Sequence, residues 1–189
     1  MQSEKIASIF VGLEEAYGTY EIYKTQSNGK NTGKARIIRD PRTSETWEGH
    51  LSGKGHSVGI IPINSSNQVK WGCIDVDQYN FNHKELIDRI KDLKLPLVVC
   101  RSKSGGAHIF LFCKEWIEAK EMQDTLNTIS AGLGYSGSEI FPKQIRLNLE
   151  RGDIGNFLNM PYYNMERGLR YAIKEDGTAA SLEEFFKLF

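Results

Sequence analysis

The sequence predicts an α+β fold in which a four-stranded sheet is covered by two helices, in the chain order βαββαβ. Three observations predict it: short apolar runs with strand character, two longer intervals with helical periodicity, and a polar, glycine-containing turn that joins the middle strands. The strands are expected at 70–77, 97–101, 107–112 and 138–141. A unit of this order brings residues from distant segments onto one sheet.

The first strand carries two carboxylates, Asp75 and Asp77, in the run Trp71-Gly-Cys-Ile-Asp-Val-Asp77. Side chains two positions apart on a strand share a face, so the two acids are expected side by side while Ile74 and Val76 point into a core. Adjacent carboxylates repel unless a cation lies between them or one binds a proton, and oxygen ligands suit Mg²⁺ or Mn²⁺. The pair predicts half of a divalent-metal site; a turn or a solvated strand edge is the alternative.

The helices are predicted from the spacing of apolar residues. The first is expected over 82–93, where Asn82 and Glu85 have the pattern of a capping box. The second is expected from about 115 to 133, with Met122 and Leu126 on its apolar stripe. A last helix is expected over 181–189, starting from a second capping pattern.

The turn between the second and third strands combines hydrogen-bond donors with residues that have little or no side chain. The donors and glycines are Arg101, Ser102, Lys103, Ser104, Gly105 and Gly106. Glycines let backbone N–H groups approach an anion closely, so we predict that the turn holds phosphate oxygens. For Arg101 and Lys103, exposure in a turn is the alternative. His108 follows on the returning strand.

The pair of acids followed by Ser104-Gly-Gly-Ala-His108 resembles the first two motifs of the archaeo-eukaryotic primase superfamily, the primase-polymerases. The stretch Trp47-Glu-Gly-His-Leu-Ser-Gly53, with Gly59-Ile-Ile-Pro62 after it, is similar to the primase domains of TOTE conflict systems and related phage proteins. The resemblance implies one domain over 1–189, with an RRM-like palm as the catalytic core at about 66–175. A small N-terminal α/β subdomain is expected at about 1–65.

The resemblance also implies roles for individual residues. Asp75 and Asp77 would bind two divalent metal ions, Mg²⁺ or Mn²⁺, and His108 would contact the phosphates of an incoming nucleotide. The third acid is expected on the last strand at Glu139, with Asp153 as the competing choice. Further nucleotide contacts are expected from Lys143, four positions past Glu139, and from Asn156. Tyr162 or Tyr163 is a candidate for stacking on a base, and core packing is the alternative.

The net charge is zero, but basic residues are concentrated in one segment of the chain. The segment at 24–42 is expected to be a basic loop that leads into a strand at 35–39. Its candidates for contact with nucleic acid are Lys30, Lys34, Arg36, Arg39 and Arg42. The functional interpretation is a contact with the template strand, and the alternative is a solvated loop.

Composition limits the remaining possibilities. The chain has 189 residues, 40% of them hydrophobic, which is enough for one buried core. No apolar run is long enough to cross a bilayer and the start lacks an export pattern, so we expect no membrane partner and a cytoplasmic protein of a prokaryote, phage or mobile element. Cys73, Cys100 and Cys113 are isolated, so we expect buried reduced thiols and no structural zinc.

These observations predict a DNA primase-polymerase that makes or extends primers on single-stranded DNA from nucleoside triphosphates. The resemblance adds a helicase, in the same parent chain or operon, as a candidate partner. One alternative is a non-catalytic nucleic-acid-binding module of the same fold. Another is a metal-dependent nuclease or relaxase-like enzyme. The sequence leaves open the sugar of the nucleotide and whether synthesis starts de novo.

Overall fold

The computed structural model describes residues 1–25 and 31–189. The helices are α1 Gln2–Ile9, α2 Ser44–Ser52, α3 His83–Asp92, α4 Ala119–Gly132 and α5 Leu182–Phe186, with a 3₁₀ turn at Leu149–Arg151. The strands are β1 Tyr17–Thr25, β2 Asn31–Ile38, β3 Ser57–Ile60, β4 Gln68–Val76, β5 Leu97–Arg101, β6 Ala107–Glu118, β7 Glu139–Phe141 and β8 Leu158–Asn159. In this part of the chain, no helix has both the length and the apolar composition that crossing a membrane requires.

The strands form two antiparallel sheets within the described residues. The central sheet has the order β5-β6-β4-β7, and the flanking sheet has the order β2-β1-β3-β8. In the central unit the elements follow one another as β4, α3, β5, β6, α4 and β7, and the predicted α+β class is confirmed. In the sheet order, β4 lies between β6 and β7, so residues from three separate strands become neighbours across the sheet.

One face of the central sheet is covered by α3 and α4. Ile74 and Val76 of β4 belong to the same buried cluster as Leu86 of α3 and Leu126 of α4. Helix α4 lies so close to β4 that a Cβ added at Gly72 would come within 2.6 Å of the Leu126 side chain. The apolar stripes predicted for the helices therefore form this core.

The opposite face of the central sheet is apolar along most of its length and polar at one end. Trp71 and Phe110 pack there against Phe10 of α1, with ring centroids 5.6 and 5.4 Å from that of Phe10. Residues of the flanking sheet and α5 complete the cluster, including Ile60 and Phe185. This core holds the two sheets together and ends where the acidic side chains begin.

The flanking sheet takes its last strand from a later part of the chain. Gly59 of β3 pairs with Asn159 of β8, so the sheet is not built from 1–65 alone. The Phe157 ring covers Gly18 and Gly59, where an added Cβ would lie 2.0 and 2.1 Å from ring atoms. Glycine at both positions therefore makes the room that the ring needs.

Three sequence-based boundaries need correction. Residues 115–118 belong to β6 and not to the following helix, because Ile117 and Glu118 pair with Val69 and Gln68 beyond a bulge. Residues 31–38 of the expected basic loop form β2, which is paired with β1 along its length. The last helix is shorter than predicted and ends at Phe186.

Candidate active site

The candidate site is a row of paired residues across the central sheet. Asp75 of β4 lies directly opposite His108 of β6 on one side and opposite Glu139 of β7 on the other. Directly opposed residues in antiparallel strands point to the same face, with Cα atoms about 4.5–5.5 Å apart. Two carboxylates and an imidazole that are distant in sequence are therefore neighbours, and we call them the acidic row.

His108 lies at the boundary between the acidic row and the apolar core. It is 6% exposed, and its ring meets the Phe110 ring edge-on at a centroid distance of 6.0 Å. Its Nε2 is 3.4 Å from Oδ1 of Asp75, whose side chain is 24% exposed. The imidazole thus packs against the Phe110 ring, and its Nε2 is directed toward the Asp75 carboxylate, which solvent can reach.

Asp77 follows β4 and is held by the turn between β5 and β6. Ser104 Oγ donates a hydrogen bond to Asp77 Oδ1 at 2.7 Å, and the Ser102 and Ser104 hydroxyls are 3.1 Å apart. The serines therefore connect the donor-rich turn to the second acid. A hydroxyl donor fixes the orientation of the carboxylate that accepts its hydrogen bond.

Glycine allows the turn to reach this position. An added Cβ at Gly106 would lie 2.1 Å from the Val76 carbonyl oxygen, so only glycine fits there. Gly105 has φ +97°, a conformation that side chains disfavour. The His83 ring forms a hydrogen bond of 2.9 Å to the Gly106 carbonyl. Steric room at Gly106 and backbone conformation at Gly105 therefore explain why glycine occupies both positions. This explanation is independent of anion binding.

Glu139 starts β7 and is the acid that the sheet places beside Asp75. Its Oε2 is 2.8 Å from Nζ of Lys143, and its side chain is 60% exposed. Asp153, the competing choice, lies outside this row, in a surface depression that Arg146 and Asn148 also line. The register of β4 and β7 therefore favours Glu139 as the third acid of the site.

The three acids have the donor chemistry that Mg²⁺ or Mn²⁺ prefers. Asp75, Asp77 and Glu139 each have one oxygen engaged, and among the described residues no hydrogen bond reaches the other oxygen. The three side chains do not converge on one point. Within residues 1–25 and 31–189, no group of three or more acidic, histidine or cysteine side chains has the geometry of a metal site. The donor types and the strand placement therefore suit a divalent metal, whereas the positions of these side chains in this structure do not form a metal site.

Lys103 projects from the turn to the flanking sheet. Its Nζ lies 3.1 Å from the centroid of the Tyr20 ring. Burial lowers the pKa of Lys103, the Tyr20 side chain opposes that shift, and the positive charge of Arg170 adds to it. A cation on an aromatic face is held mainly by the ring quadrupole, so its charge stays available to an anion.

Arg170 is a buried cation that the sequence did not identify. It is 9% exposed, and its Nη1 has no hydrogen-bond partner among the described residues. Its guanidinium lies 5.3 Å from the centroid of the Tyr163 ring, and burial lowers its pKa to about 10. No motif surrounds Arg170, and the only signal is one charge in the strand-like run Leu169-Arg-Tyr-Ala-Ile173.

Other predicted nucleotide contacts are placed elsewhere. Arg101 pairs with Ala107, so it points to the opposite face from His108, and its Nη1 donates to the Leu169 carbonyl at 2.9 Å. Asn156 is paired with Gln144: the Asn156 N–H donates to Oε1 at 3.0 Å and the Gln144 amide donates back at 2.5 Å. The structure therefore links Asn156 to the segment after β7.

The two tyrosines proposed to stack on a base differ in burial. Tyr162 is 3% exposed, and its hydroxyl accepts from the Ala172 N–H and donates to the Ala180 carbonyl, each at 3.2 Å. Burial also raises the pKa of Tyr162. Tyr162 is thus part of the core, whereas Tyr163 is half-buried beside Arg170.

The basic residues of the 24–42 segment do not form one surface. Lys34 and Arg36 lie on the face of β2 opposite to Ala35, which pairs with Tyr20, so they point away from the face that Lys103 contacts. Arg39 donates to the Gly152 carbonyl at 3.1 Å. Lys30 lies outside the described residues.

Two members of this basic set have protein partners that account for their charge. Arg36 forms an ion pair of 3.0 Å with Glu21. Arg42 is part-buried and donates to the carbonyls of Leu13 and Ala16 at 2.7 and 3.2 Å. Burial lowers the pKa of Arg42, as expected for a guanidinium with a structural role.

A row of acids flanked by a donor-rich turn on an antiparallel sheet is an arrangement suited to nucleotidyl transfer. The family model for the archaeo-eukaryotic primase domain of TOTE conflict systems matches residues 11–187. The chain therefore belongs to the archaeo-eukaryotic primase family of TOTE conflict systems, and the resemblance seen in the sequence is confirmed. The family points to a nucleotidyltransferase-like enzyme. No curated protein matches the chain.

Proposed function

We propose that this protein is a metal-dependent, template-directed primase-polymerase that makes or extends primers on single-stranded DNA from nucleoside triphosphates. The observation that carries the proposal is the placement of Asp75 directly between His108 and Glu139 on one sheet face. The central sheet is proposed to be an RRM-like palm. Its strand order β5-β6-β4-β7 supports this, since a βαββαβ unit with two crossover helices on one face gives that order.

Asp75, Asp77 and Glu139 are the residues that would hold Mg²⁺ or Mn²⁺. Divalent ions bound there would neutralise the charge that develops at the α-phosphate and would activate the attacking 3′-oxygen. Ser104 orients Asp77 through its 2.7 Å hydrogen bond. Lys143 balances the charge of Glu139 through their ion pair.

The donors beside the acids are proposed to hold the phosphates. His108 has its Nε2 directed to the edge of the acidic row, where a phosphate oxygen could accept a hydrogen bond. Lys103 adds a cation from the turn. Fixed donors around a phosphate stabilise the transition state without reorganisation, which is the main contribution of the protein in phosphoryl and nucleotidyl transfer.

The template is proposed to follow exposed cations of the 24–42 segment. Lys34 is exposed on β2, and Lys30 stays a prediction from the sequence. Arg42 leaves this set because the Leu13 and Ala16 carbonyls account for its guanidinium. A helicase from the same parent chain or operon and a cytoplasmic setting in a prokaryote, phage or mobile element complete the proposal.

The test is a primer-extension assay with single-stranded template, labelled nucleoside triphosphates and Mn²⁺. The wild-type protein is expected to give elongated product, and Asp75→Asn and Asp77→Asn to give none. The matched control is Asp92→Asn, an exposed acid at the end of α3, which is expected to keep full activity. Binding without synthesis would indicate a nucleic-acid-binding module, and a shortened template would indicate a nuclease.

A further inference from the structure

The donor-rich turn between β5 and β6 is connected at two points to the segment 77–83, which starts at the second acid of the site. The first connection is the hydrogen bond of 2.7 Å from Ser104 Oγ to Asp77 Oδ1. The second is the hydrogen bond of 2.9 Å between the His83 ring and the Gly106 carbonyl oxygen. The turn and this segment are therefore joined near both of their ends.

The second connection requires a hydrogen on Nε2 of His83, because a carbonyl oxygen can only accept. The same Gly106 oxygen accepts the Ser102 N–H at 2.9 Å, and this bond closes the turn. Inside the turn, the Gly105 N–H donates to the Ser102 carbonyl at 3.2 Å. His83 thus donates to the oxygen atom at which the two arms of the turn meet.

Helix α3 and two aromatic rings hold the imidazole in place. His83 is the first residue of α3, and the Glu85 N–H donates to the Asn82 side chain at 3.2 Å, which caps the helix start. The imidazole meets the Phe81 ring edge-on at a centroid distance of 5.1 Å. Phe81 in turn lies 5.8 Å from the Tyr135 ring. The donor therefore belongs to the helical layer, whereas the acceptor belongs to the turn beside the acids.

Gly106 is the residue at which the turn meets β4. An added Cβ there would lie 2.1 Å from the Val76 carbonyl oxygen and 3.1 Å from the Gln78 backbone nitrogen. These two residues flank Asp77 in the chain. A shift of Gly106 would therefore move the turn relative to Asp77. Because hydrogen bonds weaken steeply when they are misaligned, the bond from Ser104 to Asp77 would weaken with it.

The packing of α3 does not depend on the hydrogen bond that His83 makes. The buried apolar residues of this helix are Leu86, Ile87 and Ile90, whereas His83 is half-buried at the helix start. Removal of the donor therefore takes no apolar group out of the core. Its main consequence falls on the position of the turn.

We propose that His83 is a positioning residue that holds the turn so that Ser104 stays bonded to Asp77. The inference rests on the proposed function, in which Asp77 is one of the acids that act in nucleotidyl transfer. His83 contacts neither the nucleotide nor a reacting atom, and it acts through Gly106 and Ser104. Groups that orient the acids of such a site change activity about 10- to 100-fold when they are removed.

The first experiment measures kcat for primer extension in two variants whose new side chains have similar length and helix propensity. The glutamine of His83→Gln can donate to the Gly106 carbonyl, whereas the methionine of His83→Met cannot. We expect kcat to fall about tenfold in His83→Met and to stay at about half of the wild-type value or more in His83→Gln. His56→Gln, at an exposed histidine, is the matched control and is expected to keep the wild-type kcat.

A double-variant cycle with Ser104→Ala separates positioning from a loss of folded protein. In the Ser104→Ala background, His83→Met is expected to lower kcat by less than about twofold, because the bond that it positions is already absent. A smaller folded fraction would instead lower kcat by the same factor in both backgrounds. Equal factors in the two backgrounds overturn the proposal, and so does a wild-type kcat in His83→Met.

Hydrogen–deuterium exchange of the protein without substrate tests the connection independently of catalysis. The backbone amides of residues 102–106 are expected to exchange about tenfold faster in His83→Met and at the wild-type rate in His83→Gln. The amides of β1, far along the chain from the turn, are the internal control and should exchange as in wild type. An unchanged rate at 102–106 in His83→Met overturns the proposal.

The two proposals fail in different ways. If exchange at 102–106 rises in His83→Met while the wild-type protein makes no DNA product, His83 positions the turn and the primase-polymerase function is wrong. If the wild-type protein extends primers and His83→Met does so with an unchanged kcat, the function stands and the positioning role does not.

Discussion

Two hairpins of the chain have the composition expected for anion binding. The structure shows that their polar and basic side chains have different partners. In the β1–β2 hairpin, Arg36 is paired with Glu21, and Arg39 and Arg42 after β2 donate to backbone carbonyls. In the turn between β5 and β6, Ser104 is bonded to an acid of the candidate site and Lys103 rests on an aromatic ring. The density of basic residues thus does not distinguish a binding surface from a structural one. The hydrogen-bond and ion-pair partners of each donor make that distinction.

The largest effect is expected from Gly106→Ala, which breaks the contact between the turn and β4. The new Cβ would lie 2.1 Å from the Val76 carbonyl oxygen, a backbone atom that cannot move aside alone. We expect a loss of about 3 kcal/mol in the free energy of unfolding, together with loss of primer extension. Urea unfolding checks the stability. Gly132→Ala is the control, since an added Cβ there meets nothing within 4 Å.

The next effect concerns His50, a buried group of the flanking region whose nitrogens are both satisfied. Its Nδ1 accepts from the Val58 N–H at 2.8 Å, so the ring must be neutral, and Nε2 donates to the Pro161 carbonyl at 2.8 Å. Burial, with a smaller contribution from the charge of Arg170, lowers the pKa of His50 to about 4, from 6.5. The unfolded chain therefore binds this proton more readily than the folded protein does.

From this pKa shift we expect stability to be lost as the pH falls from 6.5 toward 4, by up to about 3 kcal/mol from His50 alone. Urea unfolding at several pH values measures the slope. His50→Asn is expected to flatten the slope in this window, whereas His56→Gln, an exposed histidine, is expected to leave it unchanged. An equal slope in His50→Asn and wild type would contradict the prediction.

Ser104→Ala tests the contribution of a single hydroxyl in the turn between β5 and β6. It removes the 2.7 Å hydrogen bond to Asp77 and leaves the fold intact, because Ser104 is exposed. A hydrogen bond to a charged group contributes about 2 kcal/mol, so kcat for primer extension should fall about 30-fold with little change in Tm. Ser8→Ala, an exposed serine on α1, is the control and should have no effect on kcat.

The smallest effects are expected from a pair of substitutions in the basic segment. Arg42→Gln removes donors to two carbonyls and should lower stability by about 1 kcal/mol while leaving DNA affinity unchanged. Lys34→Gln should leave stability unchanged and reduce the salt dependence of DNA binding by about one unit of slope. Fluorescence anisotropy over a salt series measures the slope. The reverse pattern would show that the template contacts the buried arginine.

Much of the central unit is readable from the sequence because its signals are local. Alternation places Asp75 and Asp77 on one face, and glycine marks the turn before His108. The sequence favoured Glu139 as the third acid but left Asp153 as a competing choice, because the register of β7 against β4 is not a local signal. Arg170 was not readable, because its burial beside the Tyr163 ring depends on tertiary packing that no local pattern encodes.

The errors in the elements have the same origin. Residues 115–118 continue a helical stripe in the sequence, but pairing of Ile117 with Val69 gives them a strand partner. Glycine and asparagine around residues 28–33 favour a loop, and β1 nonetheless supplies hydrogen bonds that turn 31–38 into a strand. Tertiary pairing overrides local propensity in both cases.

The pairing of β3 with β8 has a consequence for how the polypeptide is made. Because β8 comes late in the chain, β3 presents an unpaired edge throughout ribosomal synthesis of the residues between them. Long-range strand pairing of this kind slows folding, and an open edge invites association with other nascent chains. A gene fragment that stops before residue 158 is therefore expected to yield inclusion bodies, even though it encodes every acid of the candidate site.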